Sequence, residues 1–550
     1  MDLNASLNKR FLVVDDFANV RKSIRSMLTS LGVAHVAEAA NGVEATRQVR
    51  GGRFDVVLCD YNLGKGKDGS QLLEEWRVRG WLSHETIFVM ITAETSRDLV
   101  MGAIEFQPDD YLAKPFAMDT LKQRLDRWLD RQTSLFEINE ALDKDNWAEV
   151  AKAARRVMEE KPRYRAWAQR KFVSAMIQQG QLTEAEHFLQ GLLEKREQPW
   201  AQMELCRIQI QRGDYKTAER ALKTLVLTQP NLLDAYDLLA QAQRQLKQPK
   251  QAQDTLAQAL ARSPRHIPRQ RAFAELAMDN GDYYAATRAY KEIVNLSEGT
   301  MHESPDAYKN VLRTTRHHLA SLDDEVLARR LHRDAQSYLK RLQQAFSGDI
   351  DADLFAQAYQ AYLEDPRDTT GRAQKALKKL AEEAAGKLEE LSPESATEIA
   401  EILYEKKLSA VADEFVDQLK LHHKDNPALT ERLNNLQMEP VSFEARRQAH
   451  ELNTQGIACY KEKQFKQASE LFKEAQRFSP RHPGIVLNLV QSTLLLAGSG
   501  DHTLERLDFC LDMVNRLAYL PDDHYQYERY QTLRKKIVDL HTRMSHEKQS

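Results

Sequence analysis

The sequence predicts an α/β domain with a doubly wound parallel sheet, followed by an all-α superhelical solenoid. Short apolar runs alternate with helix-period stretches near the start of the chain, and alanines recur at a fixed spacing further along. The runs cover residues 11–14, 54–59, 87–91 and, less clearly, 110–112. Short β-branched or aromatic runs separated by helical stretches are typical of βαβ units with buried parallel strands.

Polar residues follow these runs at the rim where parallel strands end. Asp15, Asp16, Asp60, Thr92 and Lys114 each fall just past the end of a run. Ligands of open parallel sheets bind outside the carboxyl ends of the strands. Three clustered carboxylates favour a hard divalent cation, usually Mg²⁺. Asp60 could then act as a nucleophile toward a phosphoryl group, whose oxygens Lys114 and Thr92 could bind.

Each of these residues also has a simpler explanation when it is taken alone. A pair of aspartates after a strand is often a turn signal or a helix cap, a Lys-Pro pair is a common loop opener, and a lone threonine is usually solvated. The order of the residues and their shared position after strands favour the functional interpretation.

The segments around these residues resemble the CheY-like receiver domain of two-component response regulators. They read FLVVDDFANVRKSIRSML, FDVVLCDYNLGKGKDG, IFVMITAET and DDYLAKPF, and the resemblance covers residues 9–131. It implies a five-stranded sheet in the flavodoxin-like order 2-1-3-4-5. It also implies that Asp60 is the phospho-acceptor, Asp16 a direct Mg²⁺ ligand and Asp15 an outer one, with Asn62 supplying its backbone carbonyl to the metal.

The same resemblance implies that Thr92 and Lys114 bind the phosphoryl group and that Tyr111 is the switch aromatic. The sequence departs from the family after the acceptor. Residues 64–67 read Gly-Lys-Gly-Lys before the pair Asp68-Gly69, which is about one residue more than the usual path. Two glycines make this loop permissive.

The rest of the chain predicts helical repeats. Ala151, Ala185, Ala218, Ala252 and Ala286 recur at spacings of 34, 33, 34 and 34 residues. This period and the accompanying positions resemble the tetratricopeptide repeat, in which small residues stand where helices approach closely and neighbouring units must stack. The alternative is an irregular helical bundle with chance alanines.

The predicted domains are a receiver at 1–131, about five tetratricopeptide units at 132–297, a degenerate repeat-like helical region at 298–445, and a further unit with capping helices at 446–550. Residues 116–161 contain neither glycine nor proline, so the last receiver helix is expected to enter the repeats without a flexible linker. The C-terminal unit fits the repeat pattern at Gly456, Ala468, Phe472, Ala475 and Pro480.

Four leucines of the third region fall at coiled-coil spacing, at Leu377, Leu380, Leu388 and Leu391. The pattern lasts barely two heptads. It therefore favours an amphipathic solenoid helix over an oligomerisation zipper.

The charge, cysteine content and apolar stretches of the chain narrow the classes of protein to which it is expected to belong. The formal charge of −3, from 78 basic and 81 acidic residues, predicts no nucleic-acid partner. Four widely spaced cysteines suit a reducing cytoplasm. The longest apolar stretch, at 485–497, is too short to span a bilayer, so no membrane insertion is expected.

These features predict a cytoplasmic response regulator that is phosphorylated on Asp60 by a histidine kinase or phosphotransfer protein. Its repeats would bind a protein target, and it would not be an enzyme beyond self-phosphorylation and autodephosphorylation at the receiver. The alternative is an accessory phosphate sink or inhibitory adaptor that acts on a shared kinase or a sister response regulator. A third possibility is an enzymatic output in the middle region, which would need a polar pocket there.

Overall fold

The computed structural model describes residues 8–64, 66–92, 108–320, 325–364, 371–438, 443–496, 504–517, 520 and 526–547. The chain folds into two compact units, Met1–Ser304 and Pro305–Ser550. Helices are numbered in chain order among the described residues. The four-part division expected from the sequence stays a prediction.

A five-stranded parallel sheet lies in the first unit. Its strands are β1 Arg10–Val14, β2 His35–Ala39, β3 Val56–Asp60, β4 Ile87–Thr92 and β5 Asp110–Ala113. They pair in the order β2-β1-β3-β4-β5, and every pair is parallel. The predicted order 2-1-3-4-5 is therefore confirmed. The central strands β1, β3 and β4 are almost wholly buried, as helices on both faces require.

Helices cover the two faces of the sheet. They are α1 Ala18–Ser30, α2 Gly42–Gly51, α3 Gly69–Val78 and α4 Met118–Asp143. Successive residues of a strand point to opposite faces. Phe11 of β1 accordingly packs in one core with Ile24 of α1, while its neighbour Leu12 packs in another with Trp76 of α3.

Helix α4 contributes to two cores in succession. Its first half buries Leu125 and Trp128 against the sheet. Its second half buries Leu135 and Ile138 among residues of the following helices. The helix spans 26 residues without a break. As expected, the last receiver helix therefore continues into the first repeat core without a flexible linker.

After α4 the first unit consists of consecutive helices joined by short turns. They are α5 Trp147–Glu160, α6 Arg165–Gln178, α7 Leu182–Leu193, α8 Pro199–Gln211, α9 Tyr215–Thr228, α10 Leu233–Gln245, α11 Pro249–Leu260, α12 Ile267–Asp279 and α13 Tyr283–Ser297. The second half of α4 pairs with α5, and the remaining helices form four further pairs. The repeating alanines stand near the start of the second helix of each pair.

The local sequence explains these positions. Ala185, Ala218 and Ala252 have no exposed surface, since each lies where the two helices of a pair approach closely. A larger side chain at these positions would push the paired helices apart. The Gly-Asp-Tyr turns place an aspartate at a helix start, where Asp214 accepts from the Thr217 amide at 3.3 Å and Asp282 from the Ala285 amide at 3.1 Å. Such N-caps satisfy amide groups that the helix leaves free.

The second unit is helical throughout its described part. Its helices are α14 Pro305–Ala320, α15 Glu325–Ala345, α16 Ile350–Tyr362, α17 Arg372–Ala385, α18 Pro393–Glu405, α19 Ser409–His422, α20 Pro427–Met438, α21 Phe443–Lys461, α22 Phe465–Phe478, α23 Pro483–Leu496, α24 Leu504–Asn515 and α25 Tyr527–Glu547. Helix α17 ends before Leu388, so the four spaced leucines do not share one helix. Leu377 and Leu380 are buried inside the unit. This favours the solenoid interpretation over the zipper.

The C-terminal pair α21 and α22 shows why its pattern needs small residues. A Cβ atom on Gly456 would lie 2.6 Å from Cε1 of Phe472, so only glycine fits there. Ala468 and Ala475 are fully buried on the facing helix. No helix in the part of the chain that the structure describes is long and apolar enough to cross a membrane.

A buried ion network lies within the second unit. The Arg316 side chain, which is 1% exposed, lies 2.9 Å from Glu398 and 2.5 Å from both Glu401 and Glu405. Arg313 lies 3.1 Å from Glu398. Although burial alone raises the pKa of Glu398, the two guanidinium groups lower it to about 2. Each charge in this network therefore has a close partner.

Candidate functional site

The ends of four strands bring the predicted site residues to one rim. Asp15 and Asp16 follow β1 directly, Asp60 is the last residue of β3, and Thr92 is the last residue of β4. Lys114 follows β5, and its backbone amide donates to the Thr92 carbonyl oxygen at 2.8 Å. The parallel register therefore gathers residues that are far apart in sequence.

The three carboxylates form a cluster. Oxygen atoms of Asp15, Asp16 and Asp60 all lie within 4.8 Å of one another. The Lys114 ammonium lies 2.6 Å from Asp15 Oδ2 and 3.0 Å from Asp60 Oδ2. One cation thus faces three carboxylates, and the cluster keeps an excess of negative charge that suits a divalent metal ion.

Burial makes the excess negative charge of the carboxylate cluster unfavourable. Asp60 is 7% exposed. Burial raises its pKa, and the hydrogen bond from Lys114 only partly opposes that effect. Burial alone would lower the pKa of Lys114, but hydrogen bonds to Asp15 and Asp60 outweigh it, so that pKa is raised. The neighbouring Cys59 thiol also has a raised pKa, first from burial and then from the charge of Asp60.

Asp15 and Asp16 differ in what their oxygens already bind. Asp15 Oδ1 accepts from the Phe17 amide at 2.8 Å, and its Oδ2 accepts from Lys114. Asp15 is fully buried. Asp16 is exposed, and its carboxylate accepts no hydrogen bond from any described residue. The carboxylate that is free to take a new ligand is therefore that of Asp16.

The other predicted residues border the cluster. Thr92 and Tyr111 are both half-buried, on β4 and β5. The Tyr111 hydroxyl is enclosed and has no hydrogen-bond partner among the described residues. Burial raises its pKa. Asn62 lies two residues after Asp60, where its side chain accepts from the Gly64 amide at 3.1 Å.

The lengthened loop after Asp60 is anchored at its end. Asp68 accepts from the Gln71 amide at 2.9 Å and forms a capping box with Gln71 at the start of α3. A Cβ atom on Gly69 would lie 2.5 Å from the Asp60 carbonyl oxygen, so this position requires glycine. Lys65, inside the loop, lies outside the described residues.

Helix α3 also contacts the repeats of the same unit, which the sequence did not predict. Arg265 Nη2 donates to Asp68 Oδ2 at 2.9 Å. The Gln71 side chain donates to the Leu296 carbonyl oxygen at 3.2 Å, and His302 Nε2 lies 2.9 Å from Glu74 Oε1. The helix that follows the Asp60 loop, with its N-cap Asp68, therefore contacts the α11–α12 connection, α13 and the segment after α13.

Comparisons with known proteins match both parts of the first unit. A profile of the response regulator receiver domain matches residues 11–126, and one of the tetratricopeptide repeat matches residues 233–266, which contain α10 and α11. Chemotaxis protein CheY-3 of Vibrio cholerae is 36% identical over 131 residues, covering 24% of this chain and 99% of that protein. Chemotaxis protein CheY of Pseudomonas aeruginosa is 34% identical over 122 residues, covering 22% and 97%.

Among solved structures, a CheY-like response regulator receiver domain protein from Methanospirillum hungatei is 26% identical. It covers 23% of this chain and 96% of its own, with a TM-score of 0.21. The sequence relatives span almost their whole length within the N-terminal part of this chain. The chain therefore belongs to the response regulator family, with a CheY-like receiver domain at its N-terminus and tetratricopeptide repeat sequence after it.

Proposed function

We propose that this protein is a phosphorelay response regulator whose Asp60 accepts a phosphoryl group and whose repeats bind a protein target. The observation that carries the proposal is the cluster of Asp15, Asp16 and Asp60 within 4.8 Å, with the Lys114 ammonium 3.0 Å from Asp60. Buried like charges of this kind are unfavourable without a ligand, and a metal ion with a phosphoryl group would relieve them.

The phosphodonor is a histidine kinase or a histidine phosphotransfer protein. An Asp60 carboxylate oxygen forms a bond to phosphorus while the P–N bond of the donor phosphohistidine breaks. The imidazole leaves with the electron pair and takes a proton from solvent. The product is an acyl phosphate, whose hydrolysis by water returns Asp60 and inorganic phosphate.

The donor set of the cluster fits Mg²⁺, which prefers oxygen ligands. Asp16 and Asp60 would hold the ion directly, Asp15 would act as an outer ligand, and Asn62 would contribute its carbonyl oxygen. This division agrees with the hydrogen bonds that already engage Asp15. When bound, the ion supplies positive charge to the phosphoryl oxygens.

Lys114 and Thr92 would bind phosphoryl oxygens after transfer. Lys114 then exchanges part of its contact with Asp60 for the new oxygens, which carry roughly one to two additional negative charges. Thr92 would move toward the group, and Tyr111 would follow into the space that it leaves. Since the Tyr111 hydroxyl has no partner among the described residues, such a movement breaks no hydrogen bond between that group and any of them.

Two connections could carry this movement to the repeats. Helix α4 belongs to the receiver core and to the first repeat core. Helix α3 follows the Asp60 loop and contacts Arg265 and His302. A rigid helix transmits a rotation that a flexible linker would absorb.

Phosphorylation with acetyl phosphate and Mg²⁺ tests the proposal. The full chain should gain one phosphoryl group that is stable in acid and labile in base, detected by intact mass, and peptide mapping should place it on Asp60. Asp60→Asn should abolish the gain, while the control Asp55→Asn should keep it. Stoichiometric labelling of Asp60→Asn would contradict the assignment.

A further inference from the structure

A groove in the first unit borders the switch residue of the receiver. It has a volume of about 780 Å³ and is lined by α6, α8, the start of α10, and residues of the receiver that include Tyr111 and Arg131. It is distinct from the Asp60 cluster, none of whose carboxylates lines it. The groove therefore joins a repeat surface to the edge of the sheet.

Equivalent positions of successive repeats line this groove. Trp167 and Trp200 lie 33 residues apart, one repeat period. On α6 the residues Trp167, Arg170, Lys171 and Ser174 follow at spacings of three, four and seven residues, so they share one helix face. The groove is therefore formed by equivalent positions of successive repeats.

Two cations of the groove, on α6, lie over aromatic rings. The Arg170 guanidinium lies 5.4 Å from the centre of the Trp200 ring, and the Lys171 ammonium lies 5.4 Å from that of Trp167. Neither makes a salt bridge with a carboxylate of the described residues. Arg207, in contrast, is paired with Glu204 at 3.0 Å.

The local charge is positive. Among the described residues, four cationic and two acidic side chains line the groove. Arg207 and Arg131 are paired with Glu204 and Asp109, so Arg170 and Lys171 are the cations without a carboxylate partner in this part of the structure. Burial lowers the pKa of Lys171, although the charge of Asp109 partly opposes it. A carboxylate ligand would offset this cost of burial. The Trp200 indole orients the Arg170 guanidinium, and the edge of that guanidinium still presents N–H donors to a carboxylate.

We propose that this groove binds an acidic peptide segment of a partner protein, with its carboxylates on Arg170 and Lys171. The inference rests on the proposed function and deepens it, because it names the chemistry of the target. Tyr111 contributes to the same groove, so a segment bound there would contact the residue expected to move on phosphorylation.

A single-stranded nucleic acid is the less favourable occupant. Bases bind to open aromatic faces, whereas Arg170 and Lys171 already cover one face of each indole. Glu204 and Asp234 also line the groove and would repel a phosphate backbone. Carboxylates separated along a peptide can meet the two cations without approaching these acidic groups.

Selection of peptides by the full chain tests the inference. A displayed random library of about twelve residues per peptide is selected on the unphosphorylated and the acetyl phosphate-treated protein. The enriched peptides should be rich in aspartate and glutamate in at least one of these states. One enriched peptide is then synthesised with a fluorescein label, and its affinity is measured by anisotropy together with that of an oligothymidylate of similar length.

Paired variants localise the binding. The double variant Arg170→Gln with Lys171→Gln should bind the acidic peptide about tenfold or more weakly. The double variant Lys216→Gln with Arg220→Gln removes the same charge from exposed positions of α9 and should bind within about twofold. Circular dichroism and phosphorylation of Asp60 establish that each variant is folded.

Three results would overturn the inference: no enrichment of acidic peptides, equal binding by both double variants, or groove-dependent binding of the oligothymidylate alone. Phosphoryl incorporation is measured on the same samples. Labelled protein without acidic-peptide binding refutes this inference alone. Peptide binding without any labelling of Asp60 refutes the proposed function instead.

Discussion

Two buried charge clusters in this protein differ in how completely their charges are paired. Around Asp60 in the first unit, three carboxylates share one lysine, and burial raises the pKa of Asp60. Around Arg316 in the second unit, each glutamate meets a guanidinium, and the pKa of Glu398 is lowered to about 2. The first cluster is more stable when it gains a ligand or loses a charge. The second sets two arginines against three glutamates, which lowers the pKa of Glu398 while burial still raises that of Glu405.

The difference separates a candidate reactive site from a structural network. A fully paired network resists change because removal of one member leaves the others buried and unpaired. An incompletely paired cluster has lower stability, but it offers a place for a cation and a phosphoryl group. Neutralising one charge in each cluster should therefore change stability in opposite directions.

The largest effect is expected from Arg316→Met. This change removes the described salt-bridge partner of Glu405 and leaves Glu398 and Glu401 with only Arg313 and Arg432, so it should destabilise the second unit by about 3–5 kcal/mol. Hydrogen exchange of the α18 amides measures the loss. The control Arg330→Met alters an exposed arginine of α15 and should change stability by less than about 0.5 kcal/mol. Equal effects of the two variants would show that the Arg316 network is not structural.

A smaller effect of opposite sign is expected from Asp60→Asn without Mg²⁺. Because the folded pKa of Asp60 is raised, its ionisation costs stability above that pKa, and the cost disappears as pH falls below the unfolded value. The variant should therefore be more stable at neutral pH by about 0.5–2 kcal/mol. The difference should shrink toward acid pH in hydrogen exchange of β3. A destabilised variant would mean that Lys114 already satisfies Asp60.

Substitutions of the two aspartates after β1 should differ in their effects on Mg²⁺ affinity and on the stability of the fold. Asp16→Ala should weaken Mg²⁺ binding by about tenfold or more, because its carboxylate is the one free to bind the ion. Asp15→Ala should weaken it less and cost more stability, since it removes the acceptor of the Phe17 amide and of Lys114. Calorimetric titration with Mg²⁺ and thermal unfolding measure the two quantities. The reverse order would exchange the proposed roles.

The smallest effect is expected where α3 meets the repeats. Arg265→Gln removes a salt bridge to Asp68 whose arginine side chain is 46% exposed, so the cost should be less than about 1 kcal/mol. Hydrogen exchange at the start of α12 measures it. A matched Arg262→Gln, at a residue with no salt bridge among the described groups, should change less. A loss as large as that of Arg316→Met would place this contact among the structural networks.

Strands could be predicted from the sequence to the extent that they are buried. The runs of β1, β3 and β4 stand out because both of their faces are covered. Strand β2 contains His35 and Glu38 and lies at the edge with partly exposed side chains. Its existence followed from the family resemblance and not from any apolar run. Strand β5, the other edge, is weakly marked for the same reason.

Five site residues could be found in the sequence because each stands at or just past a strand end: Asp15, Asp16, Asp60, Thr92 and Lys114. Asn62 and Tyr111 followed only from the family resemblance. Asp60 and Lys114 therefore converge once the sheet is parallel. The contact between Arg265 and Asp68 spans 197 residues and has no local signal. The groove depends on how successive helix pairs stack, which places Arg170 over Trp200. Such contacts follow from the superhelix and not from a motif.

The central claim is that completing the Asp60 cluster changes the repeats through α4. Hydrogen exchange of the full chain with and without acetyl phosphate and Mg²⁺ tests it, on the wild type and on a variant with a Gly-Ser segment of about six residues inserted near Thr133. Phosphorylation should alter exchange in α5–α8 of the wild type, and the insertion should leave labelling intact while removing that change. An identical response in the insertion variant would contradict transmission through α4 and favour direct contact between the receiver and its partner.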